Sequence, residues 1–411
     1  MILCIARIPP NANRSGGAQR AANIVNCLSE IDDVHLVVLF PSHDEAVKAQ
    51  IDPRIEPKVQ FVDYIGIDEW NSLKSRHPFV PWKISAVFEF LRIRSPDAPQ
   101  FSKRTLRAIA SRIPGRHYET VFCIRPASAW IAQTMISAGL ISADRKIADL
   151  DDILSEFRRK QTVTEMASKG RLWAMVQRLE VIALRNAERN MARFWDRISL
   201  CSDEDVDWFR RNYSARNVCK VPNALERPKL EAPTGRGLTL LFVGNLSFDP
   251  NVQGILRFIE TVWPGLHVKI PDMRLLIVGM SPGQNLVDAA SRPNIELHAN
   301  VDSVEPFYRE ADLVICPVLF GTGTRIKILE AMAFNRAVLA TEAAAEGLDL
   351  ENRRQAIIVD RIEDFSDEIL RLSSDKSSLS SVAEEGNRYQ QSNFGPEVFK
   401  QKLLEMMSDE A

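Results

Sequence analysis

Short apolar, β-branched runs alternate with stretches of helical periodicity along the whole chain. In the first half ILCIARI, VHLVVLF, VQFVDYI and ETVFCI read as strands, and GGAQRAANIVNCLSE between the first two reads as a helix. The second half repeats the plan with LTLLFVGN, RLLIVGM, IELHANV, LVICPVL and AVLAT. These runs are apolar nearly throughout rather than alternating, as expected of strands covered on both faces. Strand–helix alternation twice over predicts an α/β protein with two doubly wound, Rossmann-like parallel sheets. The expected division is 1–222, a linker over 223–236, a second domain over 237–394, and a terminal amphipathic helix over 395–411 that packs back. The linker assignment rests on VPNALERPKLEAPTGRG, which holds three prolines and two glycines and has little periodicity. The stretch 155–197 reads as helical and basic.

Composition narrows the class. A length of 411 residues suits two or three domains. Lys plus Arg is 52 against 54 Asp plus Glu, a balance that argues against a nucleic-acid binder. Six cysteines stand far apart, without the spacing of a zinc site or a disulfide framework. They read as reduced thiols of a cytoplasmic protein. The N-terminus reads as a first strand rather than a signal peptide. No apolar run approaches the ~20 residues of a membrane span. No metal and no other cofactor is expected.

Two glycine turns carry candidate chemistry. Gly16 and Gly17 follow the first strand and open a helix, where free N–H groups suit an anion. The plain alternative is a tight strand-to-helix connection. The second turn is GTGTRIKILEAMAFNRAVLAT, from position 321. Its helix carries Ile326, Leu329 and Ala333 on the core face, with Lys327 and Glu330 sharing another. Arg325 and Lys327 stand at the positive end of that helix, where a lone cation is disfavoured. A diphosphate would resolve this, and Glu330 one turn deeper suits a vicinal diol. On residue chemistry alone, that nucleotide-sugar reading and a surface Lys–Glu pair are about equally supported. The cluster DLDDI offers Asp149 and Asp152 at the end of a strand, to accept an acceptor hydroxyl's proton or to orient a sugar. The alternative is a helix cap before ILSEF. None of the six histidines has an obvious partner in sequence; His117, before a strand, is a weak candidate.

Taken together, LLFVGNLSFDPN, RLLIVG, VEPFYREADLVICPV, the Gly321 stretch and AEGL resemble the family-4 glycosyltransferases of GT-B fold, in the subset linked to exopolysaccharide and other surface-polysaccharide assembly. SGGAQRAA, DLDDI, CSDEDVDWF and VPNAL carry a weaker likeness. The resemblance implies a GT-B fold with an interdomain cleft and a retaining, metal-independent transfer from a nucleoside-diphosphate sugar. It puts Glu330 on the donor ribose and Gly16 and Gly17 opposite the donor phosphates and reacting sugar. It places Gly244, Asn245, Thr322, Gly323 and Thr324 among the donor-binding positions.

The departures from the family pattern are specific. Thr322 stands where many members have a glutamate. Asn245 and the Pro250–Asn251 pair stand where an Arg and a Lys are usual, which leaves Arg325 and Lys327 as the replacement phosphate cations and catalytic candidates. Asn335 replaces a usual glycine, and asparagine is the next-best left-handed helix stop.

On the acceptor side, 74–116 holds ten Lys/Arg against Glu89 and Asp97, interleaved with aromatics. This suits a polyprenyl-diphosphate-linked or other glycan acceptor and an anionic membrane surface, hence a peripheral position on the inner face of the cell membrane. The competing functions are a sugar-nucleotide epimerase of the same fold and a non-catalytic nucleotide-sugar-binding protein.

Overall fold

A computed structural model describes residues 1–11, 16–40, 44, 52–67, 101–233, 237–320 and 326–408. The chain divides into two compact units, Met1–Pro222 with Lys400–Ala411, and Asn223–Phe399.

The first unit is built on a seven-stranded, wholly parallel sheet. Its strands are β1 (Ile2–Ala6), β2 (Val34–Phe40), β3 (Phe61–Gly66), β4 (His117–Ile124), β5 (Ser142–Asp151), β6 (Arg197–Leu200) and β7 (Val218–Lys220), in the order β3-β2-β1-β4-β5-β6-β7. Its helices are α1 (Gly16–Ile31), α2 (Lys103–Arg112), α3 (Pro126–Ser137), α4 (Leu154–Lys169), α5 (Arg171–Phe194) and α6 (Asp203–Tyr213). All five residues of β1 are buried, which accounts for its unbroken apolar run. Ser202 caps α6 by accepting from the Asp205 N–H (3.1 Å), and three acids fill that helix's first turn, where the dipole favours them.

The second unit has six parallel strands: β8 (Thr239–Asn245), β9 (Arg274–Met280), β10 (Ile295–Ala299), β11 (Leu313–Cys316), β12 (Ala337–Thr341) and β13 (Ile357–Val359). Their order is β10-β9-β8-β11-β12-β13. The helices are α7 (Asp249–Thr261), α8 (Trp263–Lys269), α9 (Gln284–Ala289), α10 (Glu305–Glu310), α11 (Ile326–Ala333), α12 (Glu342–Ala345), α13 (Phe365–Ser373) and α14 (Lys376–Phe394). The two faces of this sheet feed separate cores. Leu240, Phe242, Leu275, Ile277 and Ile315 enter one cluster, while Leu241, Leu276, Val278, Val314 and Cys316 enter the other. Alternate side chains point to opposite faces of a strand, so a double core demands apolar residues at every position.

Residues 223–233, expected as a linker, form neither helix nor strand but are not a solvated tether. Ala224, Leu225 and Leu230 are buried. Gln390 donates to the Leu225 carbonyl (2.7 Å), and Asn335 donates to that of Leu230 (3.1 Å). A final helix, α15 (Pro396–Met407), starts in the second unit, and from Lys400 onward it belongs to the first. There Lys400 pairs with Glu30 (2.5 Å), and Arg145 donates to the Met407 carbonyl (2.8 Å).

None of the six cysteines is in a disulfide. No described helix is long and apolar enough to cross a membrane. Of the basic segment 74–116, positions 74–100 lie outside the described residues.

Candidate functional site: two strand-order switch points

In both sheets the strand order reverses between the first strand and its cross-connected neighbour, at β1/β4 and at β8/β11. Such switch points are where open α/β sheets place ligands, at the carboxyl ends of the strands. The predicted site residues that lie among the described ones, His117 apart, fall at these two places.

At β8/β11 the helix after the crossing is α11, which carries Lys327 and Glu330. Glu330 is only 8% exposed. Arg227 donates to its Oε1 from Nη2 (2.9 Å) and Nε (3.2 Å), and the Tyr308 hydroxyl donates to Oε2 (3.4 Å). Burial, and then the Glu330 carboxylate, pushes the Tyr308 phenol well above its ordinary range, so it acts as a neutral donor. Of the two readings left open by the sequence, a surface Lys–Glu pair is not what holds Glu330. It is held and oriented by a cation from the segment read as linker. That arginine stacks over the Phe334 ring (5.9 Å).

Lys327 turns to the other side. Its Nζ donates to Asn251 Oδ1 and lies 5.7 Å from the Phe242 ring centre. Asn251, itself buried, passes the contact on by donating from Nδ2 to the Asn245 carbonyl (2.9 Å). The two asparagines that stand in place of the usual cations therefore form a neutral bridge that steers Lys327. Gly244 leaves the room this requires, because a Cβ there would lie 2.8 Å from Asn251 Nδ2. Thr322, Gly323, Thr324 and Arg325 lie outside the described residues.

Asn335 has φ +57°. Its N–H bonds the Met332 carbonyl (2.9 Å), and the Arg336 N–H bonds that of Ala331 (2.9 Å), closing α11 in a Schellman motif. The side chain also ties down Leu230, which a glycine could not do.

The β1/β4 switch point is dominated by charge pairing. DLDDI forms a β-bulge in which the register with β6 shifts between Asp149 and Asp151. Asp149 is 1% exposed. It accepts from Arg20 Nε (2.9 Å), Arg20 Nη2 (2.6 Å) and Ser199 Oγ (2.6 Å). Burial works against the Arg20 charge, but Asp149 and Asp151 outweigh it and raise the guanidinium pKa. Burial and these three bonds argue against the acceptor-side role expected from the sequence for Asp149.

The bulge turns Asp151, with φ +67°, onto Arg125 Nη2 (2.9 Å), and Arg125 itself has φ +82°. Two non-glycine residues in the left-handed region, facing each other, mark stored strain of about 1 kcal/mol or more apiece. Asp152 is half-buried and adds to the field of Asp151 that keeps Arg125 charged against its own burial. The residue at the N-cap of α4 is Ile153, so capping does not explain the aspartates.

Gly16 and Gly17 begin α1, and a Cβ on Gly17 would collide with the Arg125 guanidinium. The structure thus brings Gly17, Arg125 and Asp151 together. Arg125 and Arg227 are the functional candidates that sequence reading missed. The available signal for Arg125 was an arginine ending a strand directly before a proline, a position pushed out of the helical region. His117 begins β4, at the opposite end of that strand, and meets Asp144 (3.3 Å) on the surface. Among the described residues no cluster of three or more His, Cys, Asp or Glu could hold a metal ion.

Residues 237–375, most of the second unit, match the family model Glycosyl transferases group 1. The chain is 28% identical over 170 residues to phosphatidyl-myo-inositol mannosyltransferase of Mycolicibacterium smegmatis, covering 40% of this chain and 41% of that protein. It is 22% identical over 223 residues to an uncharacterized 44.6 kDa protein in the cps region of Klebsiella pneumoniae, covering 52% and 57%. The chain thus spans about half the length of these curated relatives. Whole-chain likeness comes from solved structures. Sucrose-phosphate synthase of Thermosynechococcus elongatus has a TM-score of 0.68 at 11% identity, over 99% of this chain and 98% of that one. HepE of Anabaena, solved with UDP-glucose, has a TM-score of 0.63 at 13% identity, over 99% of both chains. The fold is GT-B.

Proposed function

We propose that this protein is a retaining glycosyltransferase. It moves a sugar from a nucleoside-diphosphate donor to a glycan or lipid-linked acceptor in surface-polysaccharide biosynthesis. The observation that carries the reading is the Arg227–Glu330–Tyr308 constellation beside Lys327 at the switch point of the second unit. A carboxylate fixed by an arginine keeps lone pairs for a ribose diol, and a lysine bridged to the end of β8 meets a diphosphate at the start of α11. Arg325 supplies the second cation of the donor site.

The chemistry needed is electrostatic. As the bond from the sugar's anomeric carbon to the diphosphate breaks, charge develops on the leaving oxygen, and fixed cations and backbone dipoles stabilise it. In this proposal chain cations meet that charge without a metal. Because Asp149 is sealed, Asp152 is the remaining carboxylate of DLDDI for the acceptor side, and Arg125 beside Gly17 offers a cation to an anionic group of the substrates. The relatives lend support: one is named a mannosyltransferase, one lies in a cps region, and one structure holds UDP-glucose.

The test is turnover of a panel of nucleotide sugars. Slow release of nucleoside diphosphate, unchanged by EDTA, with the anomeric configuration of the released sugar retained by NMR, is the expected result. Inversion at C2 of an intact donor would make the protein an epimerase, and donor binding without turnover would make it a binding protein.

A further inference from the structure

The hairpin of α4 and α5 lies outside both switch points and has no part in the chemistry proposed above. Along α5, Arg171, Met175, Arg178 and Ile182 at spacings of three or four, then Arg189 seven further on and Arg193, fall on one side of the helix. The strip runs for about 33 Å at ~1.5 Å per residue. Met175 is 54% exposed and Ile182 52%. The partner helix α4 presents Val163, 66% exposed, and Met166, 41% exposed. Surface apolar residues are ordinary singly, but four of them on one hairpin call for a cause.

The charges explain what kind. Residues 154–194 hold nine Lys/Arg and four Glu. All four glutamates are engaged locally. Glu156 pairs with Arg159 and Arg185, Glu165 with Lys169, and Glu180 with Arg158, while Glu188 accepts from Ser155 and Tyr213. By contrast Arg171, Arg178 and Arg193 have no ion-pair partner among the described residues. At the C-terminal end of the strip a cavity of about 520 Å³ is lined by Arg189, Arg193 and Arg216, with no acidic residue in its wall.

We infer that the outer face of this hairpin docks on an anionic lipid bilayer, with lipid headgroup phosphates seated at the arginine cavity. The two features require each other. A soluble polyanion would satisfy the arginines but leave the Met, Ile and Val side chains in water. An apolar protein partner would bury those side chains and strand the arginines. Anionic headgroups above acyl chains answer both, as for other basic amphipathic helices that lie in the interface plane. Each basic side chain near an anionic surface strengthens binding about fivefold.

The experiment is vesicle flotation of the full chain at low ionic strength. Wild type should float with phosphatidylcholine/phosphatidylglycerol vesicles and stay in solution with phosphatidylcholine alone. The variant Arg171→Glu, Arg178→Glu, Arg193→Glu should bind roughly a hundredfold more weakly. The separate variant Met175→Ser, Ile182→Ser should also weaken binding while keeping every charge. Both should retain the wild-type melting temperature and nucleotide-sugar turnover in solution, since none of these residues lies at a switch point. The proposal fails if wild type ignores anionic vesicles, or if the arginine variant floats unchanged. It also fails if the serine variant binds like wild type and heparin competes fully, which would make the strip a polyanion site. Loss of self-association in the serine variant, without any vesicle binding by wild type, would assign the face to a second copy. Vesicle binding is read without activity, so it stands or falls independently of the glycosyltransferase reading.

Discussion

The two switch points share a topology and a location at the ends of parallel strands, yet they handle charge in opposite ways. At β1/β4 two arginines and two aspartates neutralise one another within the sheet, and the central pair, Arg20–Asp149, is inaccessible. At β8/β11 the carboxylate is held by one arginine, and the lysine donates to a neutral amide beside a ring face. A fully paired buried charge serves to hold a fold, because its lone pairs and protons are already committed. In the proposed reading the first cluster positions, with Arg125 its outward member, and the second binds the donor.

The sharpest way to break this contrast is to remove Asp149. Asp149→Asn takes from buried Arg20 its nearest counter-charge and leaves Asp151 at 3.6 Å, and the first unit should lose about 3–5 kcal/mol of stability. Urea unfolding measures this, and unchanged stability with lost turnover would restore Asp149 as a proton acceptor. The second unit should respond in kinetics first. Glu330→Ala and Lys327→Ala should each weaken donor binding or turnover about tenfold or more, roughly 1.4 kcal/mol. Wild-type kinetics in both variants would remove the site assignment.

Arg227→Ala sharpens the comparison further. If this arginine acts by holding Glu330, the double variant with Glu330→Ala should be no worse than Glu330→Ala alone, whereas independent contributions would add. The smallest effect belongs to Asn335→Gly. The glycine relieves left-handed strain but gives up the bond to Leu230, so stability should stay within about 0.5 kcal/mol of wild type by chemical denaturation.

How much of this was legible beforehand differs by element. The nine strands read from the sequence are all present; most are buried on both faces and so carry continuous apolar runs, while the edge strands β3 and β10 are largely half-buried. β5, ten residues long, was read only as the strand that DLDDI ends, and β6, β7 and β13 escaped, being only four, three and three residues long. Strands that short carry no measurable period, and their pairing is set by neighbours. Glu330 and Lys327 were visible as chemistry at a helix start. Arg227 was not, since the segment around it lacks any periodicity and only its docking against α11 and α14 gives it a place.

By itself the sequence determined two parallel sheets, the turn that carries the donor candidates, and the aspartate cluster at the end of β5. These are local facts, written in burial patterns, helix starts and glycine turns. Only the tertiary structure decided which aspartate is sealed and which groups stand opposite each cation. Those outcomes depend on partners far apart in the chain: Arg20 with Asp149, Arg125 with Asp151, Arg227 with Glu330, and Lys327 with Asn251. A charge becomes structural or functional according to what stands opposite it, and spacing along the chain does not record that.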